Sequence, residues 1–327
     1  MKKDALKRSA STRGANVLYH YTDAAGLHGI LKSSTIWATD SRHLNDTDEI
    51  AFSAGAVAAE IRRLAEGLPD LTAAEIAECA DYFESRKNGQ MPAGPYLAPR
   101  RDALWAVANQ LDSLDGLGAF TGESRASTFV ACFSELGDSL SQWMGYGNSG
   151  GGYAIGFSRS ALESATHKFK GGTKSHASVL SPQKVLYGKK NRDEYIKRAI
   201  EYLVNTGHPE LEANPVVEYT KYAMNALSVA VRMSAVSKNK GFSNEEEWRL
   251  LYASHGLTPD IQYRSGGPAG LVPYLEFSFP KESVCTIVVG PSESAKLRRR
   301  LVAQILEVYD YRVSNIPIIK SKVPYRK

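Results

Sequence analysis

Strand-like and helix-like stretches come in blocks along this chain, and that ordering restricts the fold more than any single motif. β-rich runs are read at Val17–Tyr21, Thr35–Thr39, Thr128–Phe133, Tyr153–Phe157, Lys184–Tyr187, Glu246–Tyr252, Tyr274–Phe279 and Cys285–Val289. Helical patterning covers Ala24–Ser33, Ala51–Ala65, Thr72–Arg86, Arg100–Gln110, Arg192–Val204, Val216–Ser237 and Ser292–Leu306. A doubly wound sheet needs strand and helix to alternate; grouped strands around helices imply α+β. The pattern predicts a flexible basic arm at 1–15 and a single α+β domain over 16–327. That domain carries a helical insertion at about 47–115 and a second helical segment at about 190–238.

Bulk properties remove several function classes. The formal charge of +5 is small and its densest basic stretches are the tails, so it does not single out nucleic acid. Cys79, Cys132 and Cys285 show no Cys-x-x-Cys spacing, which argues against structural zinc or a disulfide framework and fits a reducing cytoplasm. No run reaches the ~18 apolar residues of a membrane span, and the basic N-terminus lacks a secretory apolar stretch. His167, His176, His208 and His255 lack metal-ligand spacing and carboxylate companions, so no metal is expected. The glycine loop up to Gly152 follows a short helical turn and leads into a strand, so it offers neither a Gly-x-Ser-x-Gly elbow nor a Gly-x-Gly-x-x-Gly dinucleotide turn, each of which follows a strand and opens a helix.

Three clusters carry candidate chemistry. In Tyr19-His20-Tyr21-Thr22, His20 and Thr22 stand two apart, so an extended backbone points them to one face. A satisfied structural histidine competes with a ligand-facing one at even odds; the neighbouring tyrosines, which join a flat ring to a hydroxyl, favour the second. In Glu245-Glu-Glu-Trp-Arg249, alternation along one strand puts Glu245, Glu247 and Arg249 on the same side. A solvated ion pair would explain them; so would an oxocarbenium site, where one carboxylate stabilises charge developing on a sugar and another handles the acceptor's proton. In Gln142-Trp-Met-Gly-Tyr-Gly147, Trp143 reads chiefly as core. Tyr146 reads as a ligand stacker, with Gly145 and Gly147 letting backbone approach a bound group. Arg42 and Asn45 lie in a polar loop, where Arg42 suits a pyrophosphate and Asp46 suits a helix cap.

Taken in order, several motifs resemble a prokaryotic domain-of-unknown-function family, number 2971. They are Leu18-Tyr-His-Tyr-Thr22, Ile36-Trp-Ala-Thr39, Leu44-Asn-Asp46, Ala131-Cys-Phe-Ser-Glu135, Ser141-Gln-Trp143 with Tyr146, Gly152–Phe157, Glu245–Leu250 and Val289-Gly-Pro291. That family is remotely similar to ADP-ribosyltransferases. The resemblance implies a split β-sheet core with helical insertions. NAD is then the substrate and no metal takes part. ADP-ribose passes to a macromolecular acceptor, protein or nucleic acid, or to water, in a defence or toxin-type setting. Carried onto this chain, His20 anchors NAD with Tyr21 and Thr22 beside it, and Tyr146 stacks on nicotinamide. Ser134 is the nearest match to the middle serine motif. Glu247 is catalytic, with Glu245 its partner and Arg249 alongside. A non-enzymatic nucleotide-binding module and a nucleic-acid-processing protein remain the competing expectations. The acceptor and the oligomeric state are not legible in the sequence.

Overall fold

A computed structural model describes residues 16–44, 48–68, 72–74, 77, 97–112, 127–147, 151–168, 177–206, 216–218, 229, 232–233, 235–254, 261–266 and 270–324. The arm expected at 1–15 and most of the helix expected at Thr72–Arg86 lie outside them.

Strand β1 (Val17–Thr22) runs into helix α1 (Ala24–Ser33). Asp23 caps the helix: its carboxylate accepts from the Gly26 amide at 2.7 Å, satisfying one of the orphan donors of the first turn. Ser34 takes a left-handed φ of 54° and turns the chain into β2 (Thr35–Asp40). There follow α2 (Asp48–Glu66), β3 (Leu97–Pro99), α3 (Arg100–Asp112) and β4 (Ser127–Ser134). Next come α4 (Leu140–Gly145), β5 (Tyr153–Ser158), α5 (Arg159–Lys168), β6 (Ala177–Lys184), β7 (Leu186–Tyr187), α6 (Lys189–Thr206), β8 (Val216–Glu218) and β9 (Ser237–Lys238). The chain ends with β10 (Glu247–Ser254), β11 (Gln262–Ser265), β12 (Leu271–Ser278), β13 (Val284–Val289), α7 (Ala295–Val308) and β14 (Ile318–Lys320).

The chain divides into two compact units. One holds the described parts of 1–45, 125–185 and 240–327; the other holds those of 46–124 and 186–239. The second unit encloses both stretches read from sequence as helical insertions.

The first unit is built on one mostly antiparallel sheet. Among the described residues ten strands join it, in the order β11-β12-β2-β4-β1-β5-β13-β14, with β10 on β4 and β6 on β10. Among the described residues of this sheet, only β13 and β14 pair in parallel. β10 covers one edge of β4 from Ser127 to Ser134. The other edge is forked: β2 pairs at Phe129 and Val130, and β1 pairs at Ser134. One face of the sheet carries the main core, where Leu18, Phe129, Phe133 and Phe157 meet Leu27 and Leu31 of α1, Leu162 of α5 and Leu306 of α7. Each such side chain removed from water contributes about 1.5–3 kcal/mol. Tyr21, three residues from Leu18 and so on the opposite face of β1, joins Trp143, Ala154 and Val288 in a smaller cluster.

In the second unit α2 packs on α3 and on α6. The buried Val57, Ala58, Ile61 and Ala65 of α2 follow helical spacing, as do Ala103, Leu104, Val107, Ala108 and Leu111 of α3.

Several elements depart from the sequence reading. The helix expected from Val216 starts instead as strand β8, which pairs with β3. Its β-branched Val216 and Val217 suit a ladder. Helix α5 and strands β11 and β14 went unread. The strand expected at Lys184–Tyr187 is found as the end of β6 and as β7, while the rest of β6 went unread; β6 holds Pro182, a residue that argues against a central strand. This proline is tolerated because, among the described residues, β6 pairs only with β10, at the sheet's edge and beside a register shift.

Candidate functional site

The fork in the sheet positions the first candidate residue. Cys132 lies between the pairings of Val130 with β2 and Ser134 with β1, so its carbonyl faces a gap in the ladder. His20 fills it: Nδ1 stands 2.9 Å from the Cys132 oxygen. A carbonyl only accepts, so Nδ1 carries the proton and Nε2 is left as an acceptor. Burial pushes the imidazole pKa below its usual value, against the opposing pull of the Cys132 bond, so the ring is neutral at pH 7.

The same end of β4 receives β10. Glu247 pairs with Ser134 from one edge while Tyr19 pairs with it from the other. Segments far apart in sequence thereby meet. Glu247 is 4% exposed and Arg249, two residues on and on the same face, 3%. The guanidinium grips the carboxylate through two bonds: Nε to Oε1 at 2.8 Å and Nη2 to Oε2 at 3.3 Å. A buried carboxylate needs such a partner.

Glu245 does not sit on the strand expected from alternation. It ends a 3-10 turn over Lys240–Glu245, and Glu246 takes a left-handed φ of 43° before β10 begins. Ser134 secures this turn: its hydroxyl donates to the Glu245 carbonyl at 2.6 Å and accepts from the Leu136 amide at 3.0 Å. Despite the kink, Glu245 and Glu247 line one recess of about 50 Å³, together with His20, Tyr21 and Tyr146. At roughly 10–15 Å³ per water, it admits a few waters and no whole ligand.

His20, Tyr21 and Tyr146 also line a second, larger cleft of about 860 Å³, with Thr22 and the exposed side of α1. That volume suits a small-molecule site, which typically measures ~300–1,000 Å³. Tyr146 is 46% exposed and stands between the two cavities.

Other predicted residues are placed as supports. Trp143 is fully buried and lines neither cavity, so it offers no face to a ligand. Its indole donates to Asp138 at 2.8 Å, and its ring takes Tyr21 edge-on at 4.7 Å. Tyr21 has a wall of each cavity but a committed hydroxyl, which donates to the Leu136 carbonyl at 2.6 Å and accepts from the Ser139 amide. Burial raises its pKa far above the usual phenol value. Ser134 is likewise buried and committed, and lines neither cavity. Gly147 is needed by Trp143 and not by a ligand, because a Cβ there would meet the indole at 2.9 Å. The Arg42 side chain and Asn45 lie outside the described residues.

Sequence reasoning missed Lys32 on α1 and the far wall of the large cleft, Trp37, Arg264 and Glu276. One signal was available. In Thr35-Ile-Trp-Ala-Thr39, alternation buries Ile36 and Ala38 and turns Trp37 outward. Arg264 lies in the unread strand β11.

Residues 142–250 match the model of the family described as protein of unknown function (DUF2971). The DUF2971 segment runs from α4 into β10 and contains Trp143, Tyr146, Glu245, Glu247 and Arg249; His20 and the large cleft's far wall lie beyond it. No curated protein and no solved structure matches the chain. Among the described residues, no helix is long and apolar enough to cross a membrane.

Proposed function

We propose that this chain is an ADP-ribosyltransferase-like enzyme that cleaves NAD and passes ADP-ribose to a macromolecular acceptor or to water. One observation carries the reading: His20, Tyr21, Tyr146, Glu245 and Glu247, from three distant segments, line one recess that shares a wall with a nucleotide-sized cleft.

In this reading NAD occupies the large cleft and its nicotinamide–ribose bond lies at the junction with the recess. Neutral His20 accepts a ribose hydroxyl at Nε2, and Tyr146 lies against the nicotinamide ring. As the C–N bond breaks, its electron pair leaves with nicotinamide and the ribose carbon becomes cationic. Arg249 holds the Glu247 carboxylate in one orientation, so it is in place before the cation forms. The acceptor's oxygen or nitrogen bonds to that carbon, and Glu245 takes the proton it loses.

The test is direct. The full chain is incubated with NAD and free nicotinamide is followed, with Glu247→Gln alongside. Release by the native chain, lost in the variant, is expected. Equal release from both removes Glu247 from its role; none from either removes the activity.

The bidentate grip of Arg249 on Glu247, beside a recess for only a few waters, favours a second reading. In it the cleft is a non-enzymatic nucleotide-binding module. Saturable NAD binding without nicotinamide release would select it.

A further inference from the structure

The far wall of the large cleft presents groups that the described residues leave partly unmatched. Trp37, directly opposite Glu276 in the β2–β12 pairing, is 48% exposed. One side of its ring rests on Tyr274, with centroids 4.4 Å apart and planes inclined by 31°. Tyr274 is itself buried and held by a hydrogen bond from its hydroxyl to Gln262 at 2.9 Å. The indole is therefore backed and oriented, while its other side opens to the cleft.

Arg264 stands next along this wall. Its guanidinium makes no hydrogen bond or ion pair among the described residues, and its buried Nε–H has no acceptor. A donor left so carries a desolvation cost, which an arriving acceptor would recover. Lys32, also on the cleft, has no carboxylate partner among the described residues. Of the two carboxylates on the cleft, Asp23 is committed to capping α1, and Glu276 flanks the Trp37 ring.

We propose that Trp37 and Arg264 form a subsite for the base and phosphates of a nucleotide, with Trp37 stacking on the base and Arg264 binding the phosphates. Spacing supports a ligand of that extent. Arg264 pairs with Val272, four residues along β12 from Glu276, and β11 and β2 flank β12, so about 13 Å along the strands and about 9.5 Å across them separate the roots of the two groups. An arginine's reach spans part of that distance, leaving room for a sugar between ring and anion. Glu276, beside the ring, accepts from an exocyclic amine or a ribose hydroxyl. The guanidinium's planar fork matches two phosphate oxygens at once.

This proposal rests on the nucleotide reading of the cleft but needs no bond cleavage, so its probe is ADP, which has no nicotinamide. Calorimetry on the full chain should show one saturable ADP site. Trp37→Ala should weaken it about tenfold, the scale of one base–aromatic stack, and Trp37→Phe, which keeps a ring, by no more than about threefold. Arg264→Gln should weaken both ADP and inorganic pyrophosphate about tenfold or more, as loss of a charge-assisted pair does. Trp37→Ala should leave pyrophosphate unchanged. No saturable ADP binding, or ADP binding indifferent to both Trp37→Ala and Arg264→Gln, overturns the subsite. Nicotinamide release alongside that indifference leaves the cleavage reading standing alone. The expected ADP pattern without any release leaves the subsite standing alone.

Discussion

The two cavities that share His20, Tyr21 and Tyr146 differ in who satisfies their polar groups. Around the small recess the protein does so itself: Cys132 takes His20, Arg249 takes Glu247, and Ser134 holds the Glu245 carbonyl. On the far wall of the large cleft, Arg264 and the open side of Trp37 find no such partner among the described residues. Groups tied by the fold are set in place before any ligand arrives, which suits charge stabilisation. Groups left untied keep their interaction energy for a ligand, which suits binding.

The contrast breaks most severely at the buried ion pair. Arg249→Met should strip Glu247 of its partner and destabilise the first unit by about 3–5 kcal/mol, read as a lower urea midpoint. Adding Glu247→Leu should restore most of that loss, because the uncompensated charge goes with it. An Arg249→Met chain as stable as the native one would show that the recess is not held by this pair. Next in size, Glu247→Gln should lower nicotinamide release by about 10²–10³-fold, the scale of removing one preorganised electrostatic group.

Ser134→Ala should cost about 1–3 kcal/mol through the Leu136 amide and Glu245 carbonyl it leaves unpaired. It should lower nicotinamide release only through the shifted Glu245, and a fall as large as that of Glu247→Gln would make Ser134 more than a support. Tyr146→Ala should change the urea midpoint little, since the side chain is 46% exposed. Its KM for NAD should rise about tenfold for the lost stack. A KM equal to the native one would detach Tyr146 from the ligand.

The smallest effect tests His20. Its folded-state pKa lies below the usual value because the ring is buried. The unfolded chain therefore binds the proton first, near pH 6.5, and the stability owed to neutral His20 declines as pH falls below that point. Denaturant midpoints of the native chain and of His20→Gln, taken at pH 7.5 and pH 5, should differ less at the lower pH. A gap that widens on acidification would mean that the histidine gains a proton on folding.

Legibility from sequence follows the range of the forces involved. α1 was read with the bounds it has, because Leu27, Ile30 and Leu31 follow helical spacing and Asp23 caps its own neighbour. β4 and β5 were legible from their apolar runs. β11 was not: among Gln262, Tyr263, Arg264 and Ser265 none is buried, and the strand exists because β12 lends it a ladder. β8 was likewise misread as helix, since its pairing with β3 spans more than a hundred residues. At the site, residue types pointed to His20, Tyr146 and Glu247. The straight strand drawn through Glu245 failed because a left-handed residue at Glu246 is no part of a hydrophobic pattern.

By itself the sequence determined the α+β class, since hydrophobic period is written into neighbouring residues and needs no distant partner to be read. It also singled out His20, Tyr146, Glu245 and Glu247, which the fold brings to one recess. Tertiary structure alone decided that β1 and β10 meet at the end of β4, because a hydrogen-bond ladder between remote segments leaves no local trace. It alone decided that Arg249 closes on Glu247 while Arg264 meets no acceptor among the described residues. Both are arginines on strands, and only the packing around them tells one from the other.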